Sequence, residues 1–432
     1  MAINRLFRWI TFSYLLFFSL ASVASDELEE LVEDLEYEIE DLIEQIDERN
    51  KRFKINGFLS AGASYSDSTV PLESTDLLDE VNFSPEAVLG LQLEFKLNDK
   101  SKVVTQLVGR GKTDFDIVAE WGYFAYKVTP ALTFRAGRLR IPLFLLSDYL
   151  EVGYAYPWVR PSAEVYDLAE LFSSQDGMDI LYNFSVGSVD TQLQLGGGTL
   201  ARTSPSYGGL TFKATDMITM AALANYKSWT LNANVATVDF VADITGTLLG
   251  DADNTFTSNG AGEIKFDHLD ILYYSVGAAF DNGVWMFQAE AIDTAYENRP
   301  GPQIFPIQRA HYISIARRFN RVTPYFLFAQ NRTVSASDRR EADAILAQAG
   351  VSPFDLARVF TQLLDHTQSS WALGINYSLS PKAKLKFEWK LIGSTKGTVG
   401  DFEDFAAFTS ILGGQDALDG TNVYNLVFDV VF

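Results

Sequence analysis

From residue 52 to the C-terminus the sequence alternates with period two, and the alternation has an uncommon chemistry. Leu89, Leu91, Leu93, Phe95 and Leu97 share one side of an extended segment, with Gln92, Glu94 and Lys96 on the other. Trp371, Leu373, Ile375, Tyr377 and Leu379 oppose Ala372, Gly374, Asn376 and Ser378. Leu385, Phe387, Trp389 and Leu391 oppose Lys384, Lys386, Glu388 and Lys390. Successive side chains of a strand point to opposite faces, so each segment reads as a strand with one apolar and one polar side. A soluble sandwich would turn the apolar side into a shared core. Here the polar side carries Lys and Glu together while the apolar side is rich in Phe, Trp and Tyr, the pattern of a closed sheet with lipid outside and water inside.

The connections agree with closure. Asn98-Asp99-Lys100, Thr129-Pro130, Asp281-Asn282-Gly283, Asn320-Arg321 and Ser380-Pro381-Lys382 read as tight turns. Between them lie long connections at 67–82, 142–176, 243–268, 296–307, 335–367 and 396–420. Short and long connections largely alternate, as they do in barrels that cross an outer membrane. Seventeen segments have strand character, and 208–216 is the weakest, so the reading is sixteen strands with fourteen or eighteen still open. The expected fold class is therefore all-β, a transmembrane antiparallel β-barrel spanning 51–432, of a size that leaves an aqueous lumen.

Two segments precede it. Residues 1–24 read as a signal peptide, with Arg5 and Arg8 ahead of an apolar run from Trp9 to Leu20 and small residues at Ser22-Val23-Ala24. The alternative, a short N-terminal membrane helix, suffers from the brevity of that run. Residues 25–50 read as a helix with Leu28, Val32, Leu35, Ile39, Leu42 and Ile46 on one stripe and thirteen carboxylates elsewhere. Taken with Leu at a and Val or Ile at d, this heptad favours a periplasmic coiled coil of three or four strands, hence a trimerising role. A solitary amphipathic helix is the other reading.

Composition removes several functions. The chain has 432 residues and no cysteine, which excludes a disulfide scaffold and thiol chemistry. Three histidines, His268, His311 and His366, carry no catalytic or metal motif, so no enzyme activity, cofactor or metal is expected. Asp251 and Asp253 suggest a calcium loop but lack its Gly and terminal Glu. A net charge of −22 argues against nucleic acid. Helical patterns within 338–366 and 402–412 suit a lid, a plug or plain packing.

A signal peptide, alternating amphipathic strands and a last strand with Tyr424, Leu426, Phe428 and Val430 in phase with a terminal Phe432 resemble Gram-negative outer-membrane porins. The coiled coil ahead of the barrel is similar to trimeric porins of dicarboxylate uptake, and Phe134-Arg135-Ala136-Gly137-Arg138-Leu139-Arg140-Ile141-Pro142 to phosphate-selective ones. The resemblance implies a homotrimer in outer-membrane lipid and lipopolysaccharide, passing small hydrophilic solutes and assembled by the barrel-assembly machinery, which would read Phe432. It also implies that 142–176 folds inward as a constriction loop.

That loop supplies the candidate site. Arg138, Arg140 and Arg160 are expected to face Glu151 and Glu164 across an eyelet, with Tyr156 and Trp158 beside them, because opposed charge rings set ion preference. Arginine's planar fork suits phosphate or carboxylate. Charges that satisfy one another on an exposed loop are the competing reading. Glu94, Lys96, Lys384, Lys386, Glu388 and Lys390 are expected on the pore wall. Alternation from Phe134 and Ala136 would point Arg138 and Arg140 at lipid unless a bulge at Gly137 reverses it. A barrel with a blocked lumen, tethered through its coiled coil or acting as an adhesin, is the alternative to a channel.

Overall fold

The computed structural model describes Tyr37, 52–72, Thr75, 77–166, 172–204, 210–243, 265–296, 308–333, 367–393 and 420–432. The chain divides into two compact units, Met1–Lys54 and Ile55–Phe432. The expected signal peptide, the coiled-coil stripe Leu28, Val32, Leu35, Ile39, Leu42 and Ile46, and the helical patterns in 338–366 and 402–412 lie outside the described residues.

Sixteen antiparallel strands close into one barrel, each paired with its neighbours in sequence and the last with the first. They are β1 (Phe53–Ser66), β2 (Val88–Lys96), β3 (Ser101–Arg110), β4 (Ile117–Lys127), β5 (Leu132–Arg140), β6 (Ser174–Val186), β7 (Val189–Ser204) and β8 (Leu210–Tyr226). The second half comprises β9 (Trp229–Asp243), β10 (Lys265–Asp281), β11 (Trp285–Tyr296), β12 (Gln308–Arg317), β13 (Val322–Thr333), β14 (Gln368–Ser380), β15 (Ala383–Ile392) and β16 (Thr421–Val431). Closure runs from Phe58 opposite Val431 to Ser66 opposite Val423. Gly57 and Phe432 exchange backbone hydrogen bonds of 2.9 and 3.0 Å, so the terminal aromatic is held at the seam.

The strand number agrees with the sequence reading, although by a different route. The weak segment 208–216 and its successor 217–227 are one strand, β8. Asp216 has φ of 49°, and the β8–β9 register shifts between Thr215 and Ile218. That bulge breaks the alternation and makes one strand look like two.

Tight turns close one end of the barrel. The Asn98 side-chain oxygen accepts from the Lys100 and Ser101 N–H groups, and Asn282 does the same for Val284 and Trp285, all at 2.8–3.0 Å. Such side-chain closure is why Asn and Asp mark turns. The outward face is apolar as expected: Leu89, Phe95, Trp371, Leu373, Ile375, Leu385, Phe387, Tyr424 and Leu426 are all exposed. The inward face behaves differently, because 141–166, which follows β5, lies inside the barrel.

Candidate functional site

The loop residues 141–166 are fixed to the inner wall at many points. The Leu143 carbonyl accepts from Asn234 on β9 (3.1 Å) and from Tyr273 (3.1 Å) and Ser275 (2.6 Å) on β10. The Leu145 N–H donates to Glu290 of β11 at 2.8 Å, and the Tyr166 hydroxyl donates to the same carboxylate. Lys386 of β15 donates to the Gly153 and Trp158 carbonyls, both at 2.6 Å, and pairs with Asp429 of β16 at 2.9 Å. Glu388 accepts from Tyr325 (2.8 Å), from Asn425 (3.2 Å) and from the Val159 N–H (3.4 Å). Polar groups removed from water must be matched, and these loop carbonyls and wall side chains match each other.

Apolar packing fills the space between these anchors. Leu143, Phe144, Leu146, Tyr156, Trp158 and Tyr166 join Tyr273, Tyr312, Tyr325 and Leu327 of the wall in one buried cluster. Tyr156 stacks on Trp158 at 5.7 Å, and Trp158 meets Tyr312 edge-on at 6.0 Å. A side chain at Gly153 would collide with Asp429 and lie 3.0 Å from the Ser60 hydroxyl, so only glycine lets the loop approach β16. Burial holds the Tyr156 and Tyr166 phenols well above their ordinary range, so both stay neutral.

The expected eyelet is not the arrangement found. Arg138 does not face Glu151 or Glu164: it makes a two-pronged pair with Asp176 of β6 at 2.8 and 2.9 Å. Its register neighbours alternate with the exposed Phe124, Met178 and Ile180, so it lies on the outward face. Arg140 is the last residue of β5 and is buried where the strand passes into the loop, 3.1 Å from Glu120 and 2.6 Å from the Ser147 carbonyl, over the Trp121 ring. Gly137 does have a positive φ of 132°, but the β5–β6 register is unbroken, so no bulge there turns Arg138 inward. The bulge is across the strand pair, at Glu120, which β3 skips between Gln106 and Leu107. Arg160 pairs with Glu86, and its guanidinium lies 3.4 Å from Asn425. Tyr156 and Trp158, expected at the eyelet, are core residues instead.

The carboxylates have other partners. Glu151 binds Arg110 of β3 at 2.7 Å, and Arg110 also holds Glu120 at 2.5 Å. Glu164 accepts from Ser162 (2.6 Å) and Gln368 (2.9 Å) and lies 3.8 Å from Lys390. Burial pushes the Glu164 carboxyl up, but Lys390 and these hydrogen bonds outweigh it and hold the group at about 2. A water-sized cavity of about 30 Å³ lies beside it, lined by Arg160, Glu164, Glu388, Lys390 and Asn425 among others.

The expected wall residues do point inward but differ in exposure. Lys386 and Glu388 are buried under the loop, and Lys384 donates to the Tyr154 carbonyl at 2.6 Å. Glu94 pairs with Lys102 of β3 at 2.8 Å, while Lys96 is exposed near the turn end. Sequence reading missed Lys102, Arg110 and Glu120, and left Arg135 out of the eyelet, although it points inward and grips Asp179 at 2.6 and 2.8 Å. For Glu120 a signal existed: outward residues run Ile117, Ala119 and then Gly122, Phe124, Tyr126, a slip of one place that marks a bulge. Among the described residues no group of acidic or histidine side chains is arranged to hold a metal.

Comparison with protein-family models gives no match, and comparison with curated protein sequences gives none. The solved structures give many similar folds. An anion-selective porin from Comamonas acidovorans is 10% identical with a TM-score of 0.54, covering 88% of this chain and 99% of that one. The outer-membrane channel DcaP of Acinetobacter baumannii is 11% identical with a TM-score of 0.53, covering 88% and 97%. OprB of Pseudomonas putida is 11% identical with a TM-score of 0.54, covering 89% and 95%. At these identities the likeness is one of fold: the chain forms a closed sixteen-stranded barrel of the porin type.

Proposed function

We propose that the protein is a passive diffusion channel of the Gram-negative outer membrane for small hydrophilic solutes. The observation that carries this reading is the closed barrel with exposed aromatic and aliphatic side chains outside and charged, hydrogen-bonded side chains inside. An apolar belt of that extent is unstable against water and fits a bilayer. The tight turns would then face the periplasm and the long connections the exterior.

A preference for anions, such as phosphate or small carboxylates, is supported by an asymmetry in the inward ion pairs. Away from the enclosed Lys386–Asp429 pair, the cation is the more exposed partner: Lys102 at 38% against Glu94 at 16%, and Arg110 at 25% against Glu120 at 1%. Arg135 stands at 16% against 0% for Asp179, and Arg160 at 28% against 6% for Glu86. The carboxylates sit behind and the cations face the space a solute would occupy, so the near field is positive although the pairs are neutral. Purified protein in planar bilayers should give stable conductance steps, with a reversal potential of anion-selective sign in a salt gradient. Silence from folded protein would reject the channel.

The packed loop favours a second reading, a barrel plugged by 141–166 and serving a structural or adhesive role. It predicts that silence. Homotrimer assembly is proposed for the barrel and not from the heptad. The step from Leu28 to Val32 is four and from Val32 to Leu35 three, which puts Val and Ile at a and Leu at d. That register favours two-stranded coils. Support for a neighbouring protomer comes from the outward face, where the Arg138–Asp176 pair stands beside Gly122 and Ala136, polar and small residues that lipid would not favour.

A further inference from the structure

We infer that the outward face of β12 and β13 binds the phosphate group of a membrane lipid in the leaflet nearest the long connections. This rests on the membrane-spanning reading above. Arg309 on β12 and Arg332 on β13 stand directly opposite each other in register, and both are exposed. Alternation fixes their direction, because the intervening Ala310, Tyr312, Ala329 and Asn331 are buried inside the barrel. His311 is two places further along the same face, with its ring 6.1 Å from that of Phe328.

Like charges opposite one another across a strand pair destabilise it. One carboxylate partly offsets them: Asp293 of β11 lies 2.9 Å from Arg309. Arg332 has no ion-pair partner among the described residues. Among the described residues the site therefore has one positive charge in excess, and an oxyanion placed between the two guanidinium groups would complete it. Below the arginines, toward the turn end, the same face becomes strongly apolar. Ile313, Ile315 and Trp371 are exposed, and Phe328 packs on Trp371 at 4.4 Å. A cationic cap over an aromatic and aliphatic strip matches an amphiphile, with phosphate on the arginines and acyl chains along the strip. A free anion would make no use of the strip.

The test is native mass spectrometry of the intact protein in neutral detergent, titrated with diphosphoryl lipid A and, separately, with phosphatidylcholine or inorganic phosphate. The wild type should retain lipid A, and the R309Q/R332Q variant should bind it roughly tenfold more weakly, as expected for losing two charge-assisted contacts. D293N, which removes the competing carboxylate, should bind more tightly. Equal retention by wild type and R309Q/R332Q would overturn the assignment. So would displacement by millimolar inorganic phosphate, which would indicate a free-anion site, or a change of oligomeric state in R309Q/R332Q with lipid binding intact, which would indicate a protomer contact. Bilayer conductance should be the same in all three proteins, so loss of the channel reading and loss of the lipid site show up separately.

Discussion

The two halves of the inner wall use the same alternation for opposite purposes. On β12 to β16 the inward residues are almost all buried: Tyr312, Leu327, Ser370, Lys386, Asn425 and Asp429 lie under the loop. On β2 to β5 the inward cations Lys102, Arg110 and Arg135 keep part of their surface free. The contrast between Lys386 and Lys102 is instructive. Both are lysines on inward positions, yet one is a wholly enclosed clamp on two loop carbonyls and the other borders the open side with Glu94. Packing sets the first and solvation the second, so substitutions at the two should fail in different measurements.

The enclosed half should give the largest effect. Lys386→Met leaves Asp429 buried with only the Ser60 hydroxyl, a contact of 2.6 Å, in place of its ion pair. Breaking one side of a buried pair costs about 3–5 kcal/mol. We expect that loss in denaturant midpoint, together with larger and noisier conductance steps as the loop loosens. Adding Asp429→Asn should restore much of the stability. No recovery in the double variant would mean the clamp acts through the carbonyls and not the charge.

Acid should loosen the same half through Glu164. Its carboxyl titrates at about 2 against an ordinary 4.5, so the folded state favours the ionised form. The group's contribution is complete above pH 4.5 and disappears as the pH falls from there toward 2. A shift of that size corresponds to roughly 3 kcal/mol. Thermal unfolding followed from pH 6 to pH 2 should show the loss, and Glu164→Gln should flatten it while lowering stability at neutral pH. A wild-type profile as flat as that of the variant would contradict the role given to Lys390 and Gln368.

The open half should respond in selectivity and hardly in stability. Lys102→Gln removes a partly exposed pair whose worth is about 0.2–1 kcal/mol. The reversal potential should nevertheless move toward zero, because a cation at the front of the wall is replaced by a neutral amide. An unchanged potential with normal conductance would place the solute path elsewhere.

These differences mark what the sequence could and could not convey. The strands were legible because the outward face repeats every second residue over long runs, as in Trp371 to Leu379. The connection after β5 was legible as long, and its inward course was an implication of the porin resemblance. Its partners were not legible: Lys386 meets Gly153 and Glu164 meets Gln368 across more than two hundred positions, and no local pattern encodes such a meeting. Five loop and strand charges offered many pairings, and the obvious one, Arg138 with Glu151, failed because Arg138 shares the outward face of β5 with Phe134 and Ala136 and pairs with Asp176 there.

Arg138 gives the smallest effect on conduction. It lies outside the barrel, paired with Asp176 and half exposed. If selectivity belongs to the inward cations, Arg138→Gln should leave the reversal potential unchanged, whereas Arg135→Gln, three positions away and inward, should shift it. If the outward pair packs against a neighbouring protomer, Arg138→Gln should instead lower the temperature at which the assembly separates in detergent, by an amount expected of a surface pair, about 0.2–1 kcal/mol. The two substitutions thus divide one short strand by face: the inward arginine read by ion preference and the outward one by assembly. A shift in reversal potential from Arg138→Gln would mean that β5 presents both faces to the solute, which the unbroken register with β6 does not allow.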